Sequence, residues 1–330
     1  MGSEKCIRDS GDFPNVPGHS SNPENAAIFD AIIEDAQSKG AELILATDPD
    51  CDRLGAAAPL TTDPSGPWAT FNGNQLSVLL GEFVLAQRKK QNRLKPEDYV
   101  VTTLVTTQML RRVTEAFGIK CFHENQVGFK WICSVVDREG PDQFVYGTEE
   151  SHGAVVGQYC RDKDGAVACM MMAELAAWVK AQGKSLHEHL DDLFRQYGYH
   201  QERLVNIRME GSDGMKRMEK LMEKFRNDPP KTLGGLDVVS IRDYSTSKRT
   251  YPDGKTEDIT GQPGNIVMFD VGEPGNYIAA RPSGTEPKVK FYMFGYVPAD
   301  KVDDVAALKT SMTQRMDAYA ADMQAIADSV

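Results

Sequence analysis

The sequence predicts an α/β protein with mixed, mostly parallel sheets and helices on both faces, followed by a smaller α+β domain. Between residues 73 and 197, helical and strand patterns alternate, an order typical of a parallel sheet covered by helices. After about residue 200, strand patterns outnumber helical ones, which indicates a separate α+β domain. The length of 330 residues exceeds one ordinary domain and suggests two or three.

The predicted elements follow from the spacing of apolar residues and from the positions of Gly, Pro and Asn. Asn22-Pro23-Glu24 predicts the start of a helix that ends at Gly40 and leads into a strand at 41–46. Further helices are predicted at 73–90, 107–117, 128–138, 165–181, 184–197, 213–226 and 300–326. Further strands are predicted at 99–105, 120–123, 144–146, 202–209, 236–241, 265–270, 276–280 and 289–297. The polar segment 242–264 is expected to be a mobile excursion.

Two breaks divide this order into three regions. A Pro/Gly-rich stretch at 61–72 and the change of character near residue 200 separate residues 1–62, 63–198 and 199–330.

The composition indicates a cytoplasmic protein with no affinity for membranes or nucleic acid. With 41% apolar and 26% charged residues, it is typical of a soluble globular chain. No apolar run is long enough to span a bilayer, and residues 1–10 lack the apolar segment of a secretory signal. A net charge of −11 opposes binding to phosphate backbones. The six cysteines are scattered without a C-x-x-C pair, which favours a reducing compartment.

Three aspartates at alternate positions follow the strand predicted at 41–46. Asp48, Asp50 and Asp52, with Arg53 beside them, form what we call the aspartate loop (residues 48–53). Crowded carboxylates repel one another unless a cation holds them, and oxygen ligands suit Mg²⁺, which often keeps a substrate phosphate as a further ligand. Arg53 would offer that phosphate a planar pair of donors.

Two alternatives to a magnesium site exist for this loop. Asp-rich segments are often solvated turns, and Pro49 favours a turn in any case. An EF-hand is less favoured, because it needs a glutamate at the twelfth loop position, where the sequence has Pro59.

A second loop, the glutamate loop (residues 146–153), follows the strand predicted at 144–146. Glu149 and Ser151 are two residues apart, so an extended backbone would direct both side chains the same way. A carboxylate and a hydroxyl side by side suit the hydroxyl groups of a sugar. The alternative is the first turn of a helix, where acidic residues favour the helix dipole.

A third loop, the arginine loop (residues 281–288), lies between two predicted strands. Its side chains and its glycine can surround an oxyanion with a guanidinium, hydroxyls and backbone N–H groups; they are Arg281, Ser283, Gly284, Thr285 and Lys288. The alternative is a polar β-turn. Because a turn needs no arginine, anion binding is favoured.

The order of the three loops resembles the α-D-phosphohexomutase family, the phosphoglucomutases and phosphomannomutases. The shared motifs are Asp-Pro-Asp-x-Asp-Arg, Gly-x-Glu-Glu-Ser-x-Gly and Arg-Pro-Ser-Gly-Thr-Glu-Pro. Gly73-Asn-Gln75, Val105-Thr-Thr-Gln108 and Val127-Gly-Phe-Lys-Trp131 resemble the family as well, and the likeness runs from about residue 10 to the end. It implies that 1–62 is the C-terminal part of the family's second domain, 63–198 the third domain, and 199–330 the fourth.

The resemblance implies roles for the residues of the loops. Asp48, Asp50 and Asp52 would bind Mg²⁺, and Arg53 would face the substrate. Glu149 and Ser151 would bind sugar hydroxyls. The phosphate that is not being transferred would be held by Arg281, Ser283, Gly284 and Thr285. Lys130 and Lys288 would be further groups for phosphate binding or proton transfer.

The implied reaction moves a phosphoryl group between O1 and O6 of a hexose phosphate, or equivalent positions of a pentose. A phosphoserine donates to the free hydroxyl, and the bisphosphorylated sugar then turns round in the cleft. The implied ligands are therefore a sugar phosphate, its bisphosphate intermediate and Mg²⁺. The identity of the sugar and the oligomeric state stay open.

The sequence departs from the family at its front. The phosphoserine loop is expected well upstream of the metal loop, whereas only 47 residues precede Asp48. We therefore expect this chain to lack the phosphoserine domain and to be inactive, or nearly so, by itself. Gly18-His-Ser-Ser-Asn-Pro23 is interpreted as the lead-in to a helix, with neither Ser20 nor Ser21 as nucleophile.

Further departures concern Cys51, which lies inside the aspartate loop, and His152, which directly follows Ser151. A general-acid role for His152 is not favoured. The competing hypotheses are a non-catalytic, Mg²⁺-dependent sugar-phosphate binding module and, less favoured, a Mg²⁺-dependent phosphatase, for which no second carboxylate cluster is seen.

Overall fold

The computed structural model describes residue 13 and residues 16–330, and these form two compact units. The first unit contains residues up to 106, 110–123 and 127–192. The second contains residues 107–109, 124–126 and 193–330. The first unit includes both sides of the predicted boundary at residue 62, so the three-domain division stays a prediction.

The first sheet of the first unit is small and antiparallel. Its strands are β1 (Ile44–Thr47), β2 (Leu54–Pro59) and β3 (Trp68–Phe71), in the order β1-β2-β3. β1 overlaps the strand predicted at 41–46. β2 was not predicted, because a run of Gly and Ala carries no β-branched or alternating pattern. β3 was not predicted, because it lies within the stretch 61–72 that was interpreted as a break between regions. The half βαβ unit expected here is therefore a β-hairpin preceded by a helix.

Helix α1 (Asp30–Ser38) packs on this sheet through a cluster that contains Phe29, Ala36, Ile44 and Ala57. A 3₁₀ turn at Ala26–Phe29 precedes it, and the Asn25 side chain accepts a hydrogen bond from the Ala27 N–H at 3.1 Å. The helical segment begins later than the predicted start at Asn22. The Asn22 side chain instead accepts from the Glu24 N–H at 3.0 Å in the preceding turn.

The second sheet of the first unit belongs to the α/β region that the sequence predicted, and it is mixed, with parallel and antiparallel pairs, where a mostly parallel sheet was expected. Its strands are β4 (Tyr99–Thr103), β5 (Lys120–Asn125), β6 (Phe144–Glu149) and β7 (Gly153–Val156), in the order β5-β4-β6-β7. β4 and β6 pair in parallel, and β7 returns antiparallel to β6. The helices are α2 (Gly73–Lys90), α3 (Gln108–Ala116), α4 (Phe129–Glu139), α5 (Gly165–Lys180) and α6 (Leu186–Tyr197).

Local signals place two helices beside the loops. Asn72 and Gln75 form a reciprocal capping box at the start of α2. The Asp164 side chain caps α5 by accepting from the Val167 N–H at 2.9 Å. Both helices start close to the loops: a β-carbon on Gly73 of α2 would lie 1.8 Å from the Glu150 carbonyl oxygen, and the Gly165 N–H of α5 donates to the Cys51 carbonyl at 2.8 Å. A short 3₁₀ turn at Pro141–Gln143 leads into β6.

The second unit is an antiparallel sheet with two helices, as expected for the α+β region. Its strands are β8 (Tyr199–Arg208), β9 (Thr232–Leu233), β10 (Leu236–Asp243), β11 (Lys248–Thr250), β12 (Thr256–Asp258), β13 (Val267–Val271), β14 (Tyr277–Pro282) and β15 (Lys288–Val297). The order is β12-β11-β10-β13-β14-β15-β8, with β9 beside β10. The helices are α7 (Gly214–Asn227) and α8 (Val305–Asp328), and a 3₁₀ turn at Ala299–Lys301 precedes α8. Phe225 of α7 packs edge-on against Phe269 and Phe291.

The segment 242–264 is more regular than the expected mobile excursion. β11 pairs with β10, and β12 pairs with β11, so the segment extends the sheet by a hairpin. Lys248 pairs with Asp258, and Arg249 pairs with Glu257, across that hairpin. These cross-strand ion pairs stabilise the pairing of two polar strands that lack an apolar pattern.

Across the described part of the chain, no helix is both long enough and apolar enough to span a bilayer.

Candidate functional site

The aspartate loop is the connection of the β1–β2 hairpin. Thr47 pairs with Leu54, so residues 48–53 lie outside the ladder. Cys51 has a left-handed φ of 56°, and its N–H donates to the Asp48 carbonyl at 3.0 Å. This tight turn brings the three aspartates together, each with a carboxylate oxygen within 4.8 Å of the others. The three predicted metal ligands are thus adjacent in space.

Arg53 is held in place by neighbouring side chains. Its Nε donates to Asp48 Oδ2 at 2.5 Å, and its Nη1 donates to Glu24 at 2.7 Å and to Asn22 at 3.1 Å. The backbone N–H groups of Asp52 and Arg53 donate to Asp48 Oδ1 at 3.1 and 3.0 Å. The sequence did not reveal Asn22 and Glu24 as partners of Arg53, because they lie about thirty residues away in the chain.

Lys163 is a further cation at this loop that sequence reasoning missed. Its Nζ lies 2.8 Å from Asp52 Oδ2, and it reaches the loop from the segment that precedes α5. The charged side chains that meet here are four carboxylates and two cations: Glu24, Asp48, Asp50, Asp52, Arg53 and Lys163. The excess of two negative charges suits one divalent cation, and the carboxylate oxygens are the ligands that Mg²⁺ prefers.

Burial and neighbouring charges shift the two less exposed aspartates in opposite directions. Burial by itself would raise the pKa of Asp48, but hydrogen bonds from Arg53 outweigh it, and the pKa is lowered. The pKa of Asp52 is raised by burial and by Asp48, although the ion pair with Lys163 opposes the shift.

The glutamate loop is the turn of the β6–β7 hairpin. Glu149 pairs with Gly153, and residues 150–152 form the turn. The extended backbone expected between Glu149 and Ser151 is therefore wrong, and so is the alternative of a helix start. The Glu149 carboxylate is buried and accepts a hydrogen bond from the Gly128 N–H at 2.6 Å. Ser151 lies in the turn and is partly exposed.

The aspartate and glutamate loops are joined by backbone and side-chain hydrogen bonds. The Leu54 N–H donates to the His152 carbonyl at 3.0 Å, and His152 Nδ1 lies 2.8 Å from the Leu54 carbonyl. Arg53 and Gly153 form an isolated antiparallel bridge. The Gly165 N–H, at the start of α5, donates to the Cys51 carbonyl at 2.8 Å. The two loops therefore form one continuous surface in the first unit.

The arginine loop connects β14 and β15, as the sequence predicted. The Ser283 N–H donates to the Lys288 carbonyl at 2.8 Å, and the Ser283 hydroxyl accepts from the N–H groups of Thr285 and Glu286 at 3.4 and 3.3 Å. Gly284 and Thr285 are exposed at the tip. Lys288 forms an ion pair with Glu286. Among the described residues, no hydrogen bond or ion pair engages the Arg281 guanidinium.

Strand register concentrates positive charge on one face beside this loop. Arg281 lies directly opposite Lys290, and Lys288 lies directly opposite Arg208. Like charges at directly opposite positions destabilise a sheet unless an anion lies between them. Sequence reasoning missed Arg208 and Lys290, because only the pairing of β8, β14 and β15 brings them to Arg281 and Lys288.

Three further residues named from the sequence are exposed or partly exposed. Lys130 is exposed in the first turn of α4, with its Nζ 5.3 Å from the centroid of the Trp131 ring. Ser20 is exposed and Ser21 is partly exposed, in the segment that precedes the Asn22 turn.

Comparison with known proteins identifies two family models in the chain. Residues 2–60 match "phosphoglucomutase/phosphomannomutase, alpha/beta/alpha domain II". Residues 72–197 match "phosphoglucomutase/phosphomannomutase, alpha/beta/alpha domain III".

The curated relatives agree with these models. The phosphoglucomutase of Staphylococcus epidermidis is 34% identical over 293 residues, which are 88% of this chain and 51% of the relative. That of Staphylococcus aureus is 34% identical over 87% of this chain and 50% of the relative. The chain thus spans about half the length of the curated relatives that it matches.

A solved structure supports the fold. The phosphoglucomutase/phosphomannomutase family protein of Burkholderia thailandensis superposes with a TM-score of 0.56 at 17% identity, over 94% of this chain and 52% of that one. At this identity the likeness concerns the fold.

Proposed function

This chain belongs to the phosphoglucomutase/phosphomannomutase family, and we propose that it carries the cation, sugar and phosphate sites of a mutase that interconverts hexose 1-phosphate and hexose 6-phosphate through a bisphosphorylated sugar. The observation that carries this proposal is the junction of the aspartate and glutamate loops, where three carboxylates lie within 4.8 Å of one another beside a buried glutamate. The names of the staphylococcal relatives favour glucose as the hexose.

Asp48, Asp50 and Asp52 are the proposed ligands of Mg²⁺. The bound ion supplies a Lewis acid and neutralises charge on a phosphoryl group. Their fit to a divalent ion rests on the clustered oxygens and on the two uncompensated negative charges described above.

Arg53 and Lys163 are the proposed cationic groups for the phosphoryl group that is transferred. The Nε and Nη1 of Arg53 are engaged by Asp48, Glu24 and Asn22, which fixes the guanidinium and leaves Nη2 for a ligand. Phosphoryl transfer needs positioning and charge neutralisation more than covalent help, so a guanidinium that is already fixed lowers the cost of binding.

Glu149 and Ser151 are the proposed contacts of the sugar hydroxyls. The Gly128 N–H fixes one oxygen of Glu149, and the turn of the β6–β7 hairpin carries Ser151. A buried carboxylate that accepts from hydroxyl groups discriminates strongly against a ligand that lacks them. Lys130 is a proposed accessory group for phosphate binding or proton transfer.

The arginine loop is the proposed site for the phosphate that is not transferred. Arg281 and Lys288 supply charge, Ser283 and Thr285 supply hydroxyls, and the exposed backbone at Gly284 allows close approach. Such a loop recognises a phosphate without reading the sugar. It can therefore accept either end of a bisphosphorylated intermediate.

The reaction also needs a phosphoryl donor, for which the family resemblance implies a phosphoserine. Neither Ser151 nor Ser283 has that role in the proposal. We therefore expect this polypeptide, by itself, to bind sugar phosphates without turning them over.

The test combines binding with turnover. Isothermal titration calorimetry would measure glucose 1-phosphate binding in the presence of Mg²⁺, and a coupled assay with a trace of glucose 1,6-bisphosphate would measure conversion to glucose 6-phosphate. We expect binding that is about 10–100-fold weaker in Arg281→Ala, and no conversion. No binding by the folded wild-type chain would contradict the proposed sites. Conversion that is abolished by Ser20→Ala or Ser21→Ala would show that the donor lies within this chain.

A further inference from the structure

His152 lies at the point where three elements of the first unit meet. It is 8% exposed, it is the last residue of the β6–β7 turn, and it directly precedes β7. Its backbone has a left-handed φ of 68°, a conformation that Asn, Asp and His adopt more readily than other residues with a side chain. Packing within the first unit therefore fixes the position of His152.

The backbone carbonyl and the ring nitrogen Nδ1 of His152 both form hydrogen bonds with one residue, Leu54. The His152 carbonyl accepts from the Leu54 N–H at 3.0 Å, and Nδ1 lies 2.8 Å from the Leu54 carbonyl. A carbonyl can only accept, so Nδ1 must carry the proton. Leu54 is the residue immediately after the aspartate loop, and His152 follows Ser151. The residue that follows the aspartate loop is thus tied to a residue of the glutamate loop by a closed pair of hydrogen bonds.

The imidazole ring also has little room to move. A β-carbon built on Gly73, the first residue of α2, would lie 2.9 Å from His152 Cδ2 and 1.8 Å from the Glu150 carbonyl oxygen. The ring is therefore confined between α2 and Leu54. Thr148 supports the same turn, because its hydroxyl donates to the Gly153 carbonyl at 2.9 Å. A displacement of the aspartate loop cannot leave the glutamate loop unchanged.

We propose that His152 is a positioning residue that couples the aspartate loop to the glutamate loop, so that Mg²⁺ at the aspartates tightens the binding of a sugar phosphate at Glu149 and Ser151. This inference rests on the proposed function. Coupling between two sites needs an element whose arrangement both ligands bias. The pair of hydrogen bonds between His152 and Leu54 is that element.

The experiment measures the dissociation constant of glucose 1-phosphate by calorimetry, with and without saturating Mg²⁺, in the full chain. In the wild type we expect Mg²⁺ to tighten binding by about tenfold or more, within the usual range for coupled sites. In His152→Phe, which keeps a planar ring but lacks the Nδ1 donor, we expect the tightening to fall below about twofold.

Two further variants separate positioning from general loss of structure. His152→Asn places an N–H donor near the position of Nδ1 and tolerates the left-handed backbone, so it should restore the tightening. His152→Gln places its donor near Nε2 and should not. His189→Phe is the matched control, because His189 is a buried histidine of the same unit, on α6, whose Nε2 has no hydrogen-bond partner among the described residues.

The outcomes separate this inference from the proposed function. A folded wild-type chain that binds neither Mg²⁺ nor glucose 1-phosphate overturns the proposed function. A wild type in which Mg²⁺ tightens binding, together with His152→Phe that keeps the same tightening, overturns the role of His152 alone. If His152→Phe does not fold, equal tightening in the Asn and Gln variants overturns it instead.

Discussion

The aspartate loop of the first unit and the arginine loop of the second unit differ in how their charges are balanced. At the aspartate loop, Asp48 is 4% exposed and accepts three hydrogen bonds from Asp52 and Arg53, while Lys163 reaches in from another segment. At the arginine loop, the tip is exposed, and Arg281 lies opposite a second cation with no described partner. Protein cations counter the charges of Asp48 and Asp52 in the first loop, whereas the charge of Arg281 in the second is left for a ligand.

This difference predicts which residues contribute to both folding and binding, and which contribute to binding alone. A buried carboxylate with several donors contributes to the stability of the hairpin as well as to any cation site. Arg281 is partly exposed and has no hydrogen-bond or ion-pair partner among the described residues, so it contributes little to folding, and its removal should change binding alone. The four predictions that follow test this contrast, in order of decreasing effect.

Asp48→Asn should have the largest effect, on both stability and cation binding. It removes the charged partner of Arg53 Nε, and such bonds contribute about 1.5–3 kcal/mol, so we expect the free energy of unfolding to fall by about 2–3 kcal/mol. Mg²⁺ affinity should fall by more than about tenfold. Urea denaturation and calorimetry would measure the two effects. Asp50→Asn is the control: Asp50 is exposed, so this variant should weaken Mg²⁺ binding with little change in stability.

Arg281→Ala should weaken phosphate binding and leave folding unchanged. Loss of one or two charge-assisted hydrogen bonds corresponds to about a 10–100-fold weaker Kd for glucose 1-phosphate. The wild-type Kd should also weaken as salt is raised, since the site is exposed. Calorimetry at two ionic strengths checks both statements, with Lys216→Ala on the exposed surface of α7 as control. A drop in the melting temperature of Arg281→Ala would contradict the expectation that Arg281 contributes to binding and not to folding.

Glu82→Gln tests how much the burial of an ionised carboxylate lowers the stability of the folded protein. Glu82 of α2 is 8% exposed, and its Oε2 has no hydrogen bond within the part of the chain that the structure describes. Burial raises its pKa to about 7. The unfolded pKa is about 4.3, so between these values the folded state keeps a proton that the unfolded state loses, and stability falls as pH rises. Above pH 7 the cost is complete.

We therefore expect Glu82→Gln to be more stable than the wild type at pH 8 by about 1–3 kcal/mol, and nearly equal to it at pH 4.5. Urea denaturation at the two pH values measures the difference. Glu174→Gln, on the exposed side of α5, should show no such pH dependence. An equal gain at both pH values would mean that ionisation of Glu82 is not the cause.

Two glycine substitutions should have the smallest effects and should differ between the loops. A β-carbon on Gly153 would lie 2.2 Å from Lys163 Cδ, so Gly153→Ala displaces Lys163 and should cost about 1 kcal/mol of unfolding free energy and some Mg²⁺ affinity. A β-carbon on Gly284 meets nothing within 4 Å, and Gly284→Ala should stay within about 0.5 kcal/mol of the wild type. Equal losses of unfolding free energy in the two variants would contradict the difference in packing between the two loops.

Regular elements with strong local signals were predicted well. α2 begins at Gly73 and ends at Lys90, the bounds predicted from the sequence, and β4, β6, β14 and β15 lie where apolar runs predicted strands. The failures have local causes. β2 is made largely of Gly and Ala, and β11 and β12 are polar, so neither carries the pattern by which strands are predicted from sequence.

The site residues also divide into those that local sequence brings together and those that only tertiary packing brings together. Asp48, Asp50 and Asp52 are close together in the chain, so a single tight turn makes them neighbours in space. Glu149 was expected to extend alongside Ser151, but it ends a strand and is buried against Gly128. Lys163, Asn22 and Glu24 were not predicted, because they approach the aspartate loop from other segments.

The sequence by itself determined the alternation of elements, the three loops and their order, because short motifs and apolar periodicity are local properties of the chain. The tertiary structure decided which charges face one another: Arg53 with Glu24, Lys163 with Asp52, and Arg281 with Lys290. It also decided that His152 would join two loops through Leu54. These pairings depend on strand register and on packing between segments far apart in sequence, and no local pattern encodes them.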